Sequence, residues 1–406
     1  MWNVDAAAGV LGRLRAAANA RATAGLRRTL IVRDPDFDGM LDLASNDYLG
    51  LCGDPRVTAG ALAAARDWGT GSTGSRLVTG TTALHARLEA SLAAFAAAPR
   101  ALAFSSGYLA NLAVITALSA ALARHGTGVL IVSDERNHAS LIDACRLARG
   151  AGVRLAIAPY RDVAAVRGLL AGRSEESALV VSDAVFSVDG ALAPVAELHA
   201  AARAHDALLV LDEAHALGVL GPGGRGTAAA AGIAEQPDVV RTITLSKSLA
   251  SQGGAVLGAP EVIETVTDTG RGFIFDTGLA PPSAGAALAA LEVLGEEPGR
   301  GEQAAANAVR LAGIAADLGL DVVPPTAAVV AVILGDAWRA VSAREICAGH
   351  RVRAGCFRPP SVPAGQACLR LTARATLTRS DFALASRALT SVRDHVGVDV
   401  HPSFRQ

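Results

Sequence analysis

Lysine is nearly absent from this chain. Of its 37 basic residues, 36 are arginine and one, Lys247, is lysine. No lysine-rich block exists and the formal net charge is −1, so neither nucleic acid nor an anionic membrane is an expected partner. The 5 cysteines (Cys52, Cys145, Cys347, Cys356, Cys368) form no C-x-x-C pair and have no histidines at zinc spacing. Reduced, structural cysteines of a cytoplasmic protein are expected, and no metal site. Long uncharged runs are scarce as well. The longest, "ALAFSSGYLANLAVITALSAALA" at residues 101–123, starts like a strand and carries several hydroxyls, so it reads as a buried strand and helix, not a membrane span. The first residues lack a basic region followed by an apolar core, which argues against a secretory signal.

What is present is a chain of 406 residues, 51% hydrophobic, long enough for two domains with substantial cores. Its single lysine lies in "TITLSKSLASQGG". An arginine there could have supplied charge or a salt bridge. A guanidinium stays protonated, whereas a desolvated or crowded amine can lose its proton and attack a carbonyl to form a Schiff base. The apolar run before Lys247 and the small residues after it argue against a chance surface position.

From about residue 100, short apolar runs alternate with helical stretches. "ALAFSS", "VLIVSD", "VRLAIAP", "ALVVSDAVF", "LLVLDEA", "VRTITLS" and "GAVLGA" read as strands, and the pattern predicts an α/β fold with a mostly parallel seven-stranded sheet buried on both faces. Ligands of such sheets sit at the carboxyl ends of the strands. Polar residues gather there: Ser105, Ser106, Asp134, Ser182, Asp212, and Ser246 with Lys247. After residue 290 the texture becomes mixed. The expected division is an N-terminal helical arm (1–45), a large domain (46–290) and a smaller C-terminal α+β domain (291–406). His199 and His205 read as helix-surface residues.

"GTGSTG" at residues 69–74 fits G-x-G-x-x-G, but a helical run precedes it and no acidic residue follows a second strand, so nicotinamide dinucleotide binding is rejected. "LVLDEAHALGVLG" is more specific. It ends a strongly apolar strand with Asp212, a carboxylate that is costly to bury without a cation or donors, and His215 follows on the turn. A protonated pyridine nitrogen is one such cation. A metal-binding Asp/His pair or a capped helix start would also suit these two residues, but neither accounts for the lone lysine after the next strand. "FSSGYLAN" puts Ser106, Gly107 and Tyr108 at a helix start suited to phosphate, and "SDERNHASL" puts His138 at another.

Over essentially its whole length the chain resembles the α-oxoamine synthase family of fold-type-I pyridoxal phosphate transferases. The resemblance is carried by "LASNDYLGL", "GSTGSRLVTGTTALHARLE", "FSSGYLAN", "SDERNHASL", "VSDAVFSVDGALAPV", "LDEAHALGVLG", "TLSKSLASQGG" and "FRPPSVPAG". It implies pyridoxal phosphate carried by Lys247 as a Schiff base, with Asp212 on the pyridinium. It implies Ser182 and His215 near the phenolic oxygen, His138 on the ring face, and Gly107, Tyr108 and Thr244 at the phosphate. Thr277 would reach the partner's phosphate in a homodimer with shared sites. Asn46 and Arg370 would hold the amino-acid carboxylate, while Arg27 and Ser361 would touch the acyl substrate. "FRPPSVPAGQACLRLT" is most like the members that join L-alanine to a pimeloyl thioester in biotin synthesis, the acyl group riding on coenzyme A or an acyl-carrier protein. A relative using glycine with a short acyl-CoA, or a non-catalytic cofactor-binding subunit, is the alternative. Three positions depart from the family pattern: Ala216 for glycine, Ser361 for threonine, and Cys368 for the first arginine of R-L-R.

Overall fold

The computed structural model describes residues 9–33, 39–124 and 128–396. All seven expected strands of the large sheet form: β2 (Arg100–Phe104), β3 (Val129–Asp134), β4 (Arg154–Ala158), β5 (Ser177–Asp183), β6 (Ala207–Asp212), β7 (Val239–Thr244) and β8 (Gly254–Gly258). They are preceded in the chain by β1 (Leu41–Leu43). Their order across the sheet is β2-β8-β7-β6-β5-β3-β4, and only β8 runs against the rest. Side chains alternate faces along each strand, and both faces are apolar. Leu130, Val132, Val180, Leu209 and Leu211 join one core, while Val129, Ile131, Leu179, Val181 and Val210 join the other. The uncharged run at 101–123 is β2 followed by the helix Gly107–Ala123, packed on the second core. No helix among the described residues is long and apolar enough to cross a membrane.

A five-stranded sheet, β1-β11-β12-β10-β9, adds β9 (Asp321–Val323), β10 (Val329–Gly335), β11 (Val352–Phe357) and β12 (Ala367–Thr372). Its edge strand β1 comes from the stretch expected to be arm, and pairs in parallel with β11. That pairing is invisible locally because it joins residues about 300 positions apart. The helix Pro281–Glu296 crosses the expected boundary at 290/291 and packs on the helices Pro55–Trp68 and Ala83–Phe95 of the large domain. A helix buried along its length stays with the layer it covers, so the change of partner comes only with the helix Arg300–Asp317, which packs on β9 and β10. His199 corrects another expectation. It is buried rather than on the surface, with Nε2 3.1 Å from both carboxylate oxygens of Asp238.

Candidate active site

A cavity of about 250 Å³ opens at the carboxyl ends of β5, β6 and β7. The sheet order puts its polar residues in sequence across the floor: Lys247 beyond β7, Asp212 ending β6, Asp183 ending β5 and His138 beyond β3. Ser106, Gly107, Tyr108 and Thr244 line one wall, His215 another.

Each position has a local cause. Ser106 caps the helix Gly107–Ala123, its Oγ accepting from the Leu109 N–H at 3.2 Å, which leaves the amide donors of the first turn facing the cavity. Glycine is required where the backbones meet. A Cβ on Gly254 would lie 2.5 Å from the Gly107 Cα, and one on Gly107 would meet the Thr244 Cβ at 3.2 Å. His138 caps the helix Ala139–Gly150, its Nδ1 accepting from the Ser140 N–H while its ring stays exposed to the cavity mouth.

Asp212 is buried at 6% exposure. Its Oδ2 accepts from Asn111 Nδ2 at 2.7 Å and its Oδ1 from the Ala214 N–H at 2.8 Å, with no ion pair among the described residues. Asn111 is itself oriented by Thr242, whose hydroxyl donates to its Oδ1 at 2.6 Å. Behind the floor, Glu213 turns the other way and meets Arg241 at 3.4 Å, both fully buried. Burial lowers the Lys247 pKa to about 8; Asp212 and Asp183 pull it up, and Arg370 pushes it down. Burial, with Lys247, Arg370 and His138, drives His215 well below the imidazole range, so its ring is neutral. Burial, reinforced by Asp212, raises Asp183 well above the carboxylate range.

Some expected residues lie elsewhere. Ser182 points to the opposite face of β5 from Asp183, because strand side chains alternate, and its hydroxyl donates to the Asp183 carbonyl at 2.8 Å. The cavity therefore receives Asp183, not Ser182. Ser105 is bonded to Asp276 and Asp134 is spent on the Arg136 and Arg161 N–H groups. Thr277 is exposed and bridges to Ser75, outside the cavity lining. The glycine-serine loop at 69–80 meets the same segment: Ser72 donates to the Leu279 carbonyl at 2.5 Å and Gly278 to the Gly74 carbonyl at 2.9 Å. Arg370 donates to Asn46 Oδ1 at 2.7 Å, beside His215. Arg27 is exposed, and Ser361 accepts from its neighbour Arg28 at 3.3 Å. Cys368 is buried on β12 opposite Phe357, and Ala216 is fully buried behind the His215 turn. Sequence reasoning missed Asp183, Asn111 and Tyr48 as site residues. Strand alternation puts Asp183 on the opposite face of β5 from Ser182 but does not say which face carries the cavity. The other two required knowing which elements meet.

A family model for aminotransferase class I and II matches residues 38–389. The chain belongs to that family. It is 55% identical over 92% of its length to an 8-amino-7-oxononanoate synthase from Mycolicibacterium vanbaalenii, covering 94% of that protein. Its identity to the synthase of the same name from Mycolicibacterium smegmatis is 54%, with 92% and 94% of the two chains covered. A serine palmitoyltransferase solved with its pyridoxal phosphate internal aldimine superposes with a TM-score of 0.86 at 27% identity, over 96% of this chain and 99% of that one. The synthase structure from Francisella tularensis, at 24% identity and a TM-score of 0.73 over 87% and 98%, has the same fold.

The residues present fit pyridoxal phosphate. The cavity wall leaves little room for a Cβ between Gly107 and Thr244, a lone amine projects into the cavity, and a buried carboxylate has no ion pair among the described residues. The lowered pKa of Lys247 has a measurable consequence. Below pH 8 the amine is mostly protonated and not nucleophilic. Cofactor capture by the apoprotein should therefore quicken about tenfold per pH unit up to about 8 and then level. Stopped-flow absorbance measures it. A rate still climbing towards the ordinary lysine value of 10.5 would contradict the assignment.

Proposed function

We propose that the protein is a pyridoxal phosphate-dependent 8-amino-7-oxononanoate synthase. It would condense L-alanine with a pimeloyl thioester, releasing CO2 and the free thiol carrier, in the cytoplasmic synthesis of biotin. The observation that carries the chemistry is Asp212, buried with two donors and no ion pair among the described residues, on the cavity floor it shares with Lys247. Identity of 55% over 92% of the chain carries the choice of reaction.

Bound there, pyridoxal phosphate supplies an electron sink for the bonds broken at the amino-acid Cα. The chain's residues do the rest. Lys247 would anchor the cofactor, and its amine, released when the alanine amine takes its place, would take the Cα proton and later return one. Asp212 would keep the ring nitrogen protonated and the His138 ring would cover one face. Gly107, Tyr108 and Thr244 receive the phosphate. Arg370, held by Asn46, binds the alanine carboxylate, and a bidentate pair with this buried guanidinium fixes which Cα bond is presented. Arg27 and Ser361, between the arm and the small domain, contact the acyl donor, carried by coenzyme A or by an acyl-carrier protein.

Crossing alanine and glycine against pimeloyl, acetyl and succinyl thioesters tests the reading. Alanine with the pimeloyl donor should give the highest kcat/KM. Equal turnover of glycine with acetyl-CoA would replace it by the sibling reaction. The working unit is a homodimer in which Thr277, exposed in its own subunit, reaches the neighbour's phosphate. Mixing Lys247→Ala with Thr277→Ala protein should restore activity, because one hybrid site regains both residues. A fully active monomer in sedimentation would refute the shared site.

A further inference from the structure

Beside the cavity, four side chains form a chain of hydrogen bonds, and one of them, Tyr48, has no role in the chemistry described so far. Tyr48, fully buried, lies with its hydroxyl 2.5 Å from His215 Nδ1, 3.2 Å from Asn46 Oδ1 and 3.5 Å from Arg370 Nη2. Arg370 Nη2 also donates to Asn46 Oδ1 at 2.7 Å. A guanidinium can only donate, so the Asn46 atom facing it is the oxygen, and that oxygen can only accept.

The single Tyr48 proton therefore has two possible acceptors, Asn46 Oδ1 and His215 Nδ1. Three observations choose between them. The imidazole nitrogen is nearer, at 2.5 Å against 3.2 Å. It is also the stronger base, whereas the amide oxygen is already served by Arg370. Finally, Arg370 donates to the phenol oxygen, which polarises its O–H toward the remaining acceptor. His215 is neutral, since burial and the surrounding cations hold its pKa well below the imidazole range, and burial keeps Tyr48 protonated with a pKa of about 12. A neutral imidazole that accepts at Nδ1 carries its proton on Nε2. Nε2 has no protein partner among the described hydrogen bonds, and His215 lines the cavity.

We propose that Tyr48 is a positioning residue that fixes His215 in its Nε2–H tautomer, so that His215 presents a hydrogen-bond donor, not a lone pair, to the cofactor's phenolic oxygen. The same hydroxyl ties His215 to Arg370, so a carboxylate drawn to the guanidinium competes with Tyr48 for one of its N–H groups and is felt at His215. This rests on the reading of the cavity as a pyridoxal phosphate site, although the tautomer itself belongs to the protein alone.

The test is Tyr48→Phe, which keeps the ring volume and removes only the hydroxyl. In protein labelled with 15N-histidine, the His215 nitrogens of the apoprotein should show the Nε2–H form in the wild type. In Tyr48→Phe the two nitrogens should move toward each other as tautomers mix. His215→Asn identifies the resonances, and an unchanged melting temperature and near-ultraviolet circular dichroism establish that Tyr48→Phe is folded. In the holoenzyme, Tyr48→Phe should weaken cofactor affinity about tenfold, the loss of one hydrogen bond of about 1.4 kcal/mol, and should shift the visible absorption band. A wild-type His215 carrying its proton on Nδ1, or a Tyr48→Phe protein with an unaltered tautomer, overturns the proposal. Failure of the wild type to bind cofactor overturns the site reading instead, and leaves the tautomer measurement standing.

Discussion

Lys247→Arg should keep the positive charge of the site and lose its chemistry. Loss of a positioned acid–base group alone costs roughly 10²–10⁴-fold in rate, and here the covalent anchor goes with it, so kcat should fall by about 10⁴-fold or more. The fold should survive, because the Lys247 amine forms no hydrogen bond or ion pair among the described contacts, and the Lys247 carbonyl, which accepts from the Ala250 N–H at 2.9 Å, is kept in the variant. Borohydride treatment of the wild-type holoenzyme, followed by peptide mass analysis, should find the reduced cofactor on Lys247 and nowhere else. Since the chain has no other lysine, only the N-terminal amine could compete. A label there, or a Lys247→Arg enzyme within tenfold of wild type, would remove Lys247 from the centre of the mechanism.

The second large effect concerns stability. Glu213 and Arg241 lie at 0% and 1% side-chain exposure, with the carboxylate also accepting from Thr227 Oγ1 at 2.7 Å and the Ala228 N–H at 2.9 Å. Arg241 sits in the middle of β7 and Glu213 directly follows Asp212, so the pair ties together the two strand ends that carry Asp212 and Lys247. Burial depresses the Arg241 pKa, with Glu213 opposing. Glu213→Gln leaves that guanidinium without a counter-charge and should cost roughly 3–5 kcal/mol, the usual penalty for breaking a buried pair from one side. Denaturant melts of the apoprotein measure it. Replacing both partners, as in Glu213→Leu with Arg241→Met, should recover a large part of the loss, because no unpaired charge then remains. A single-variant penalty below about 1 kcal/mol would mean that water or a neighbour satisfies Arg241.

Residues that each follow a short apolar run were legible. Lys247, Asp212, His215, His138 and Gly107 all sit at the ends of apolar runs, and the sheet brings all five to one cavity. Ser182 shows the limit of such reading. It lies beside Asp183 at the end of the same strand, and the one-residue difference in register decides which of the two enters the cavity. Nothing in "VVSDAV" says which face of the sheet will carry the site. His199 failed in the same way. Its helix, Val195–Ala204, is rich in alanine and marks no clear polar face, so the side that meets Asp238 depends on how the helix lies on the sheet.

The seven strands of the large sheet, the solitary lysine and the carboxylate that ends β6 were determined by the sequence alone. Hydrophobic periodicity and strand-end polarity are local patterns, and each element writes its own. Tertiary structure alone decided the pairing of β1 with β11, the clamp between residues 69–80 and the Thr277 segment, and the Asn46–Tyr48–His215–Arg370 network. Apart from the Asn46–Tyr48 bond, these contacts join residues between about 170 and 320 positions apart. Their energies depend on distances that exist only after the sheets have packed, because a hydrogen bond is made or lost within a few tenths of an ångström.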